Sequence, residues 1–203
     1  MSKDNKAASK AAPWDKGYCA PDPLYAPEQA ALMARLRNDV SERLWGKRLK
    51  HSFGVAATAL WLARRCGADE FEAEAAGLLH DWDKKLSSEE LWGKVDEYGI
   101  DVPRVDGALP VLHGLTAAAS LPRDYPELGA EVFQAIARHT TGAPGMTDLD
   151  MVVYVADMIE PGREGGFVDD IRKLACTAPL RQVYAECVRV GLIYLLKSGR
   201  FVY

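Results

Sequence analysis

Histidine is scarce in this chain, with four residues in 203, and the scarcity makes their placement informative. Nothing approaches the roughly 20 consecutive apolar residues that span a bilayer, so no membrane association is expected. Met1-Ser2-Lys3-Asp4-Asn5-Lys6 is not followed by an apolar stretch, and no secretory signal is expected either. An excess of positive charge is also missing: 25 Lys and Arg stand against 29 Asp and Glu, for a net charge of -4. That balance argues against a nucleic-acid binder, whose mark is a basic face. A free nucleotide stays possible, since metals and a few cations can offset its phosphates locally. The four cysteines, Cys19, Cys66, Cys176 and Cys187, form no CxxC pair, which fits reduced thiols in a cytoplasmic protein. Strict apolar alternation and β-branched clusters are absent too, so paired strands are not expected and the fold class is all-α.

What is present reads as helices. Residues 1–26 mix lysine, alanine and proline without a sustained period and suggest a loosely ordered extension before a single domain at 27–203. Pro27 suits a first helical position, and Leu32, Leu36, Val40 and Leu44 mark one face of a helix to about Trp45. A basic patch, Lys47-Arg48-Leu49-Lys50, leads into a second helix from about His51 to Cys66, with His51, Val55, Thr58 and Leu62 on its inner face. Asp69 with Glu72 opens a third helix, on which Ala73, Ala76, Gly77 and His80 line one side. The small residues allow a close neighbour, so His51 and His80 can face each other. Further helices are expected over about 88–98, 111–121, 127–139, 168–176 and 179–198, and one capped by Thr147 and carrying Asp157.

Each histidine, His51, His80, His113 and His139, stands in or beside such a helix, and Asp81 follows His80 directly. Asp157 sits in the apolar run Met151 to Ile159, where an unpaired carboxylate is costly to bury. Singly, each has a plain reading: a hydrogen-bonded core histidine, a helix-end histidine, an arginine-paired aspartate. Jointly they suggest a metal centre, since no histidine falls outside the pattern. Imidazole and carboxylate suit Fe(II), Mn(II), Co(II) or Zn(II). Six ligands exceed what one tetrahedral ion needs, so two ions fit better, with Asp81 as the bridge. Such a pair, about 3.5 to 4 Å apart, suits phosphoryl transfer, and phosphate-ester or phosphoanhydride hydrolysis is the expected reaction class.

The distant His51, the adjacent His80-Asp81 and the later Asp157 resemble the signature of the HD-domain superfamily of metal-dependent phosphohydrolases. Longer runs sharpen the likeness: Leu79-His80-Asp81-Trp82-Asp83-Lys84, Leu112-His113-Gly114, His139-Thr140-Thr141-Gly142 with Pro144-Gly145-Met146, and Tyr154 through Ile159-Glu160-Pro161-Gly162-Arg163. Together, over about Leu44 to Arg200, these are similar to the YqeK-like branch, bacterial symmetrical diadenosine tetraphosphate hydrolases. The resemblance implies a helical HD bundle with a dinuclear centre, iron first among candidate metals. It implies one ion on His51, His80, Asp81 and Asp157 and a second on Asp81, His113 and His139. It further implies Asp81 and Lys84 as catalytic residues, with Lys84 reaching a substrate phosphate. Thr140, Thr141 and Gly142 would offer donors to the nucleotide, and Arg163 would pair with phosphate or ribose. The implied reaction splits diadenosine tetraphosphate into two ADP by a metal-bound hydroxide.

The chain departs from that branch in places. Asp83 replaces a small residue and is expected to put another carboxylate near the site. Gly114-Leu115-Thr116-Ala117-Ala118 stands where a proline and a second glycine are commoner, and residues 1–26 have no counterpart. The alternatives are an HD phosphohydrolase for a mononucleotide or other phosphoester, a non-catalytic nucleotide-binding HD regulator, and a helical module with a structural metal. A homodimer is the default oligomer.

Overall fold

The computed structural model describes residues 11–19 and 22–202. Among these residues there are nine α-helices and no strand. In chain order they are α1 (Pro27–Arg43), α2 (Gly46–Cys66), α3 (Glu70–Leu79), α4 (Ser88–Glu97), α5 (Leu109–Asp124), α6 (Ala130–Arg138), α7 (Asp148–Ile159), α8 (Gly166–Thr177) and α9 (Leu180–Ser198). None is long and apolar enough to cross a membrane.

Helices α2, α3, α6 and α7 form the centre, each touching at least two of the others. Around them, α1 lies on α3, α5 on α6 with α4 outside it, and α8 and α9 against α7. The expected α2 face is there: Val55, Thr58 and Leu62 are buried. Small residues bring α3 up to it, since a Cβ on Gly77 would lie 3.0 Å from Ala56 Cα and 3.1 Å from its nitrogen. Three caps sit where expected, with Asp69, Ser87 and Thr147 accepting backbone N–H groups at the starts of α3, α4 and α7.

Several boundaries move. Helix α2 begins at Gly46, so the basic patch is its first turn; Lys47, Arg48 and Lys50 carry no apolar period to mark them as helical. Helix α5 extends past its expected span, with Pro110 in its first turn, where no N–H is needed. It also keeps Pro122 inside its last turn, closing with Tyr125 N–H on Leu121 O at 2.9 Å. Helix α6 starts only at Ala130, because Leu128 N–H bonds Tyr125 O at 3.1 Å in a turn.

The segment ahead of α1 was expected to be loose, and its described part packs on the body. Trp14 meets Trp61 edge-on at 5.1 Å, Ala11 O accepts from Trp61 Nε1 at 3.2 Å, and Ala12 is buried. Residues 1–10 lie outside the described residues. Aromatic side chains thus dock this stretch without any helical period that would have announced it.

Candidate metal centre

Six sequence-nominated ligands arrive from three helices and from the turns that follow two others. His51 is in the second turn of α2, His80 and Asp81 follow α3, His113 is on α5, His139 follows α6, and Asp157 is in the last turn of α7. His51 Nε2 lies 3.2 Å from His80 Nε2 and 3.0 Å from Asp157 Oδ1. His113 Nε2 lies 3.0 Å from His139 Nε2. Asp81 stands between the two sets. Its Oδ2 is 3.4 Å from His80 Nε2 and 3.6 Å from His51 Nε2, while its Oδ1 is 3.2 Å from His113 Nε2. Two triads result, His51/His80/Asp81 and Asp81/His113/His139, each with ligand atoms all within 4.8 Å of one another.

The imidazoles are oriented from behind. His80 Nδ1 lies 2.7 Å from Gly77 O, and His139 Nδ1 lies 2.6 Å from Ile136 O. A carbonyl only accepts, so each Nδ1 carries the proton and each Nε2 is left as a lone pair facing the cluster. His51 Nδ1 is likewise 3.0 Å from Glu160 Oε1. Oxygen acceptors behind imidazoles whose front nitrogens converge are the arrangement of metal ligands, so the donor set fits a metal. His113 differs, with Lys84 Nζ 3.3 Å from both its ring nitrogens.

The charges follow from burial and neighbours. Burial opposes the charge on His51, but hydrogen bonds with Asp157 and Glu160 outweigh it and raise its pKa to about 9. Burial lowers His139 to about 3, helped by His80 and His113. Burial also opposes ionisation of Asp81, yet His80 and His113 hold its carboxyl well below the usual range. Asp157, against its own burial, is held down by His51 and Arg163. Lys84 is lowered, chiefly by burial, with Asp81 pulling the other way.

The remaining nominated residues fall unevenly. Arg163 reaches the cluster, donating Nη2 to Asp157 Oδ1 at 2.5 Å. Thr140 Oγ1 is 2.9 Å from His139 Nε2. Thr141 Oγ1 instead donates to Gly142 O at 2.9 Å, and Gly142 N–H is taken by Arg138 O at 2.8 Å, so that backbone donor is not free for a nucleotide. Asp83 corrects an expectation: it is fully buried and turned from the cluster, accepting from Arg43 Nη2 at 2.9 Å and Lys94 Nζ at 2.6 Å. Two residues were not nominated. Glu160 backs His51, and Arg48 Nη1 donates to Asp81 Oδ2 at 2.5 Å. Arg48 precedes His51 by three positions, which on a helix is the same face.

A profile of the HD domain matches residues 48–162. The chain is 35% identical over 164 residues to the symmetrical bis(5'-nucleosyl)-tetraphosphatase of Bacillus subtilis, covering 81% of this chain and 88% of that protein. The Staphylococcus aureus protein of the same name is 34% identical, over 80% of this chain and 84% of its own length. Among solved structures, a predicted HD superfamily hydrolase involved in NAD metabolism from Clostridium acetobutylicum superposes with a TM-score of 0.76 at 32% identity, covering 84% of this chain and 90% of that one.

Proposed function

This chain belongs to the HD domain family, and from that premise we propose that it is a symmetrical bis(5'-nucleosyl)-tetraphosphatase that splits diadenosine tetraphosphate and water into two ADP. The observation that carries the reading is the Asp81 carboxylate, whose two oxygens face different histidine sets. One divalent ion is assigned to His51, His80, Asp81 and Asp157, and a second to Asp81, His113 and His139. Iron(II) is our assignment for both, from a borderline metal's preference for mixed imidazole and carboxylate donors, a preference shared by manganese, cobalt and zinc. When bound, such a pair supplies Lewis acidity to activate a water and to neutralise phosphoryl oxygens.

The chain's own residues do the rest. Lys84 is held by burial beside His113, within reach of a phosphate bound at the cluster, where it acts as a point charge. Arg48 and Arg163 rest on ligand carboxylates and are assigned to the polyphosphate once cations take those carboxylates over. Thr140 offers its hydroxyl beside His139. Thr141 is assigned to the wall of the nucleotide site. The role first given to Gly142 reduces to shaping the turn, at a φ of +68° that glycine tolerates.

The test is ADP release from diadenosine tetraphosphate by anaerobically purified protein, with metal counted before and after chelation. ADP production lost on chelation, with about two metals per chain, is the expected result. Bound metal without ADP release would overturn the substrate assignment. His80→Ala and Asp81→Ala should each lower both metal content and turnover; if both stayed intact, the site assignment would fall.

A further inference from the structure

Two cavities lie near the cluster, the first against His51 and the second against Thr140, and share no lining residue. The first, about 680 Å³, touches His51 and is lined by Lys47, Arg48, Lys50 and Arg163, which outnumber its two carboxylates, Glu160 and Glu164, with no Phe, Tyr or Trp in its walls. The second, about 490 Å³, has Thr140 and Thr141 as its inner wall, Tyr154 and Met158 on one side, and Tyr194 and Phe201 on the outer side. Since Thr140 Oγ1 is 2.9 Å from His139 Nε2, one side chain separates this second cavity from the other histidine pair. Its size is that of a small-molecule site, mostly apolar with a few polar groups.

The outer aromatic wall joins Tyr194 of α9 to Phe201, which follows that helix. Phe201 lies over Gly107, where a Cβ would fall 2.6 Å from the Phe201 Cβ, so the approach needs a glycine. Tyr194 and Phe201 are 54% and 45% exposed, large apolar faces left to solvent beside a cavity rather than turned inward. The Arg200 guanidinium is 5.3 Å from the Tyr194 ring centre. Flat apolar and aromatic walls stack a base, and a groove rich in lysine and arginine holds phosphates; of these two cavities only the second has the aromatic walls.

Resting on the function proposed above, we infer that the aromatic cavity takes the purine base of one ADP half, and that the other half runs along the cationic groove with no base pocket of its own. A symmetrical substrate is thereby held asymmetrically. The inference makes Tyr194 and Phe201 specificity-determining residues and makes the second base dispensable.

The experiment uses the full-length, metal-loaded protein and two probes, ADP and inorganic pyrophosphate, titrated by calorimetry. Tyr194→Ala and Phe201→Ala should each weaken ADP about tenfold, the scale of one base stacked on an aromatic ring, and leave pyrophosphate unchanged. Gly191→Leu is the blocking variant: its Cβ would face Tyr154 Oη at 3.7 Å and Met158 Cε at 3.9 Å, ordinary contacts, with the rest of the side chain filling the cavity. It too should weaken ADP alone. Adenosine 5'-tetraphosphate, which lacks the second base, should be cut by water to ADP and pyrophosphate with a KM within about threefold of that for the dinucleotide. Variants that leave ADP binding unchanged, or that weaken ADP and pyrophosphate equally, would overturn the inference. So would a large KM penalty for the single-base substrate. Selective loss of ADP in a protein that does not cleave diadenosine tetraphosphate would support this pocket and sink the activity assigned above.

Discussion

An oxygen behind each of three imidazoles decides which nitrogen faces the cluster, and only one of those oxygens is a side chain. Glu160 bonds His51 Nδ1 and also accepts Gly162 N–H at 2.6 Å, so it is itself fixed. Removing it frees the His51 ring and both tautomers. Glu160→Ala should therefore lower metal affinity 10- to 100-fold, the usual cost of losing such a partner, and should show in a competition titration against a chelator; unchanged affinity would take Glu160 out of the site. Glu160 escaped the sequence reading because nothing in its own run says that the end of α7 meets α2. The one local hint lies elsewhere, at Gly54, where a Cβ would fall 2.5 Å from Glu160 Oε2. Asp83 shows the opposite failure. Two positions after Asp81 it looked like a site carboxylate, but the chain turns after α3, with Lys84 N–H on Asp81 O at 3.0 Å, and sends it to Arg43 and Lys94.

The pairing of α2 with α3 sets the distance between His51 and His80, and it depends on small side chains. Ala73, Ala76 and Gly77 were legible as small, helix-spaced positions, and that is why these two histidines could be expected to meet. Gly77→Ala places a methyl 3.0 Å from the Ala56 backbone, where no flexible side chain can give way. The helices must part, at a cost of about 1 to 3 kcal/mol for overpacking. The expected outcome is a lower urea midpoint together with weaker metal binding, because His80 bonds Gly77 O and moves with it. A stable variant with unaltered metal affinity would show that the helix spacing does not control the site. Helix existence and inner faces were readable because apolar period reports burial directly. The ends of α2 and α5 were not, because a polar first turn and a proline late in a helix carry no period and are decided by tertiary contacts.

Across the whole molecule, two features affect stability beyond any single helix. The first is the docked segment at residues 11–19, where Trp14 packs on Trp61 and also lies under Arg172, at 5.5 Å from its ring. Deleting residues 1–19 should cost about 2 kcal/mol, the scale of burying one aromatic side chain, and leave turnover intact, since none of these contacts reaches the cluster. Equal stability of the truncated protein would make the contact incidental.

The second is the charge the core must carry when no metal is bound. His51, raised to about 9 from an ordinary 6.5, holds a proton in the folded chain that the unfolded chain releases. Its contribution to stability is thus full below pH 6.5 and is lost as pH climbs through about 9. His139, lowered to about 3, acts in the opposite direction: the unfolded chain takes up a proton that the folded chain refuses, so stability falls as pH drops from 6.5 toward 3. Asp81 and Asp157, held down by their partners, add to the loss only on the acid side. The chelated protein should therefore be most stable near pH 6.5 and weaken toward pH 9 by an amount on the order of 3 kcal/mol from His51. A metal reverses that slope, because it binds His51 only after the Nε2 proton leaves, and its stabilising effect grows over the same window. Urea unfolding at pH 6.5, 7.5 and 9 with and without metal reads both trends, and His51→Gln should flatten the alkaline loss in the chelated protein. Chelated stability that rises from pH 6.5 to 9 would mean that His51 is not held charged by Asp157 and Glu160, and the electrostatic account of that end of the cluster would fail.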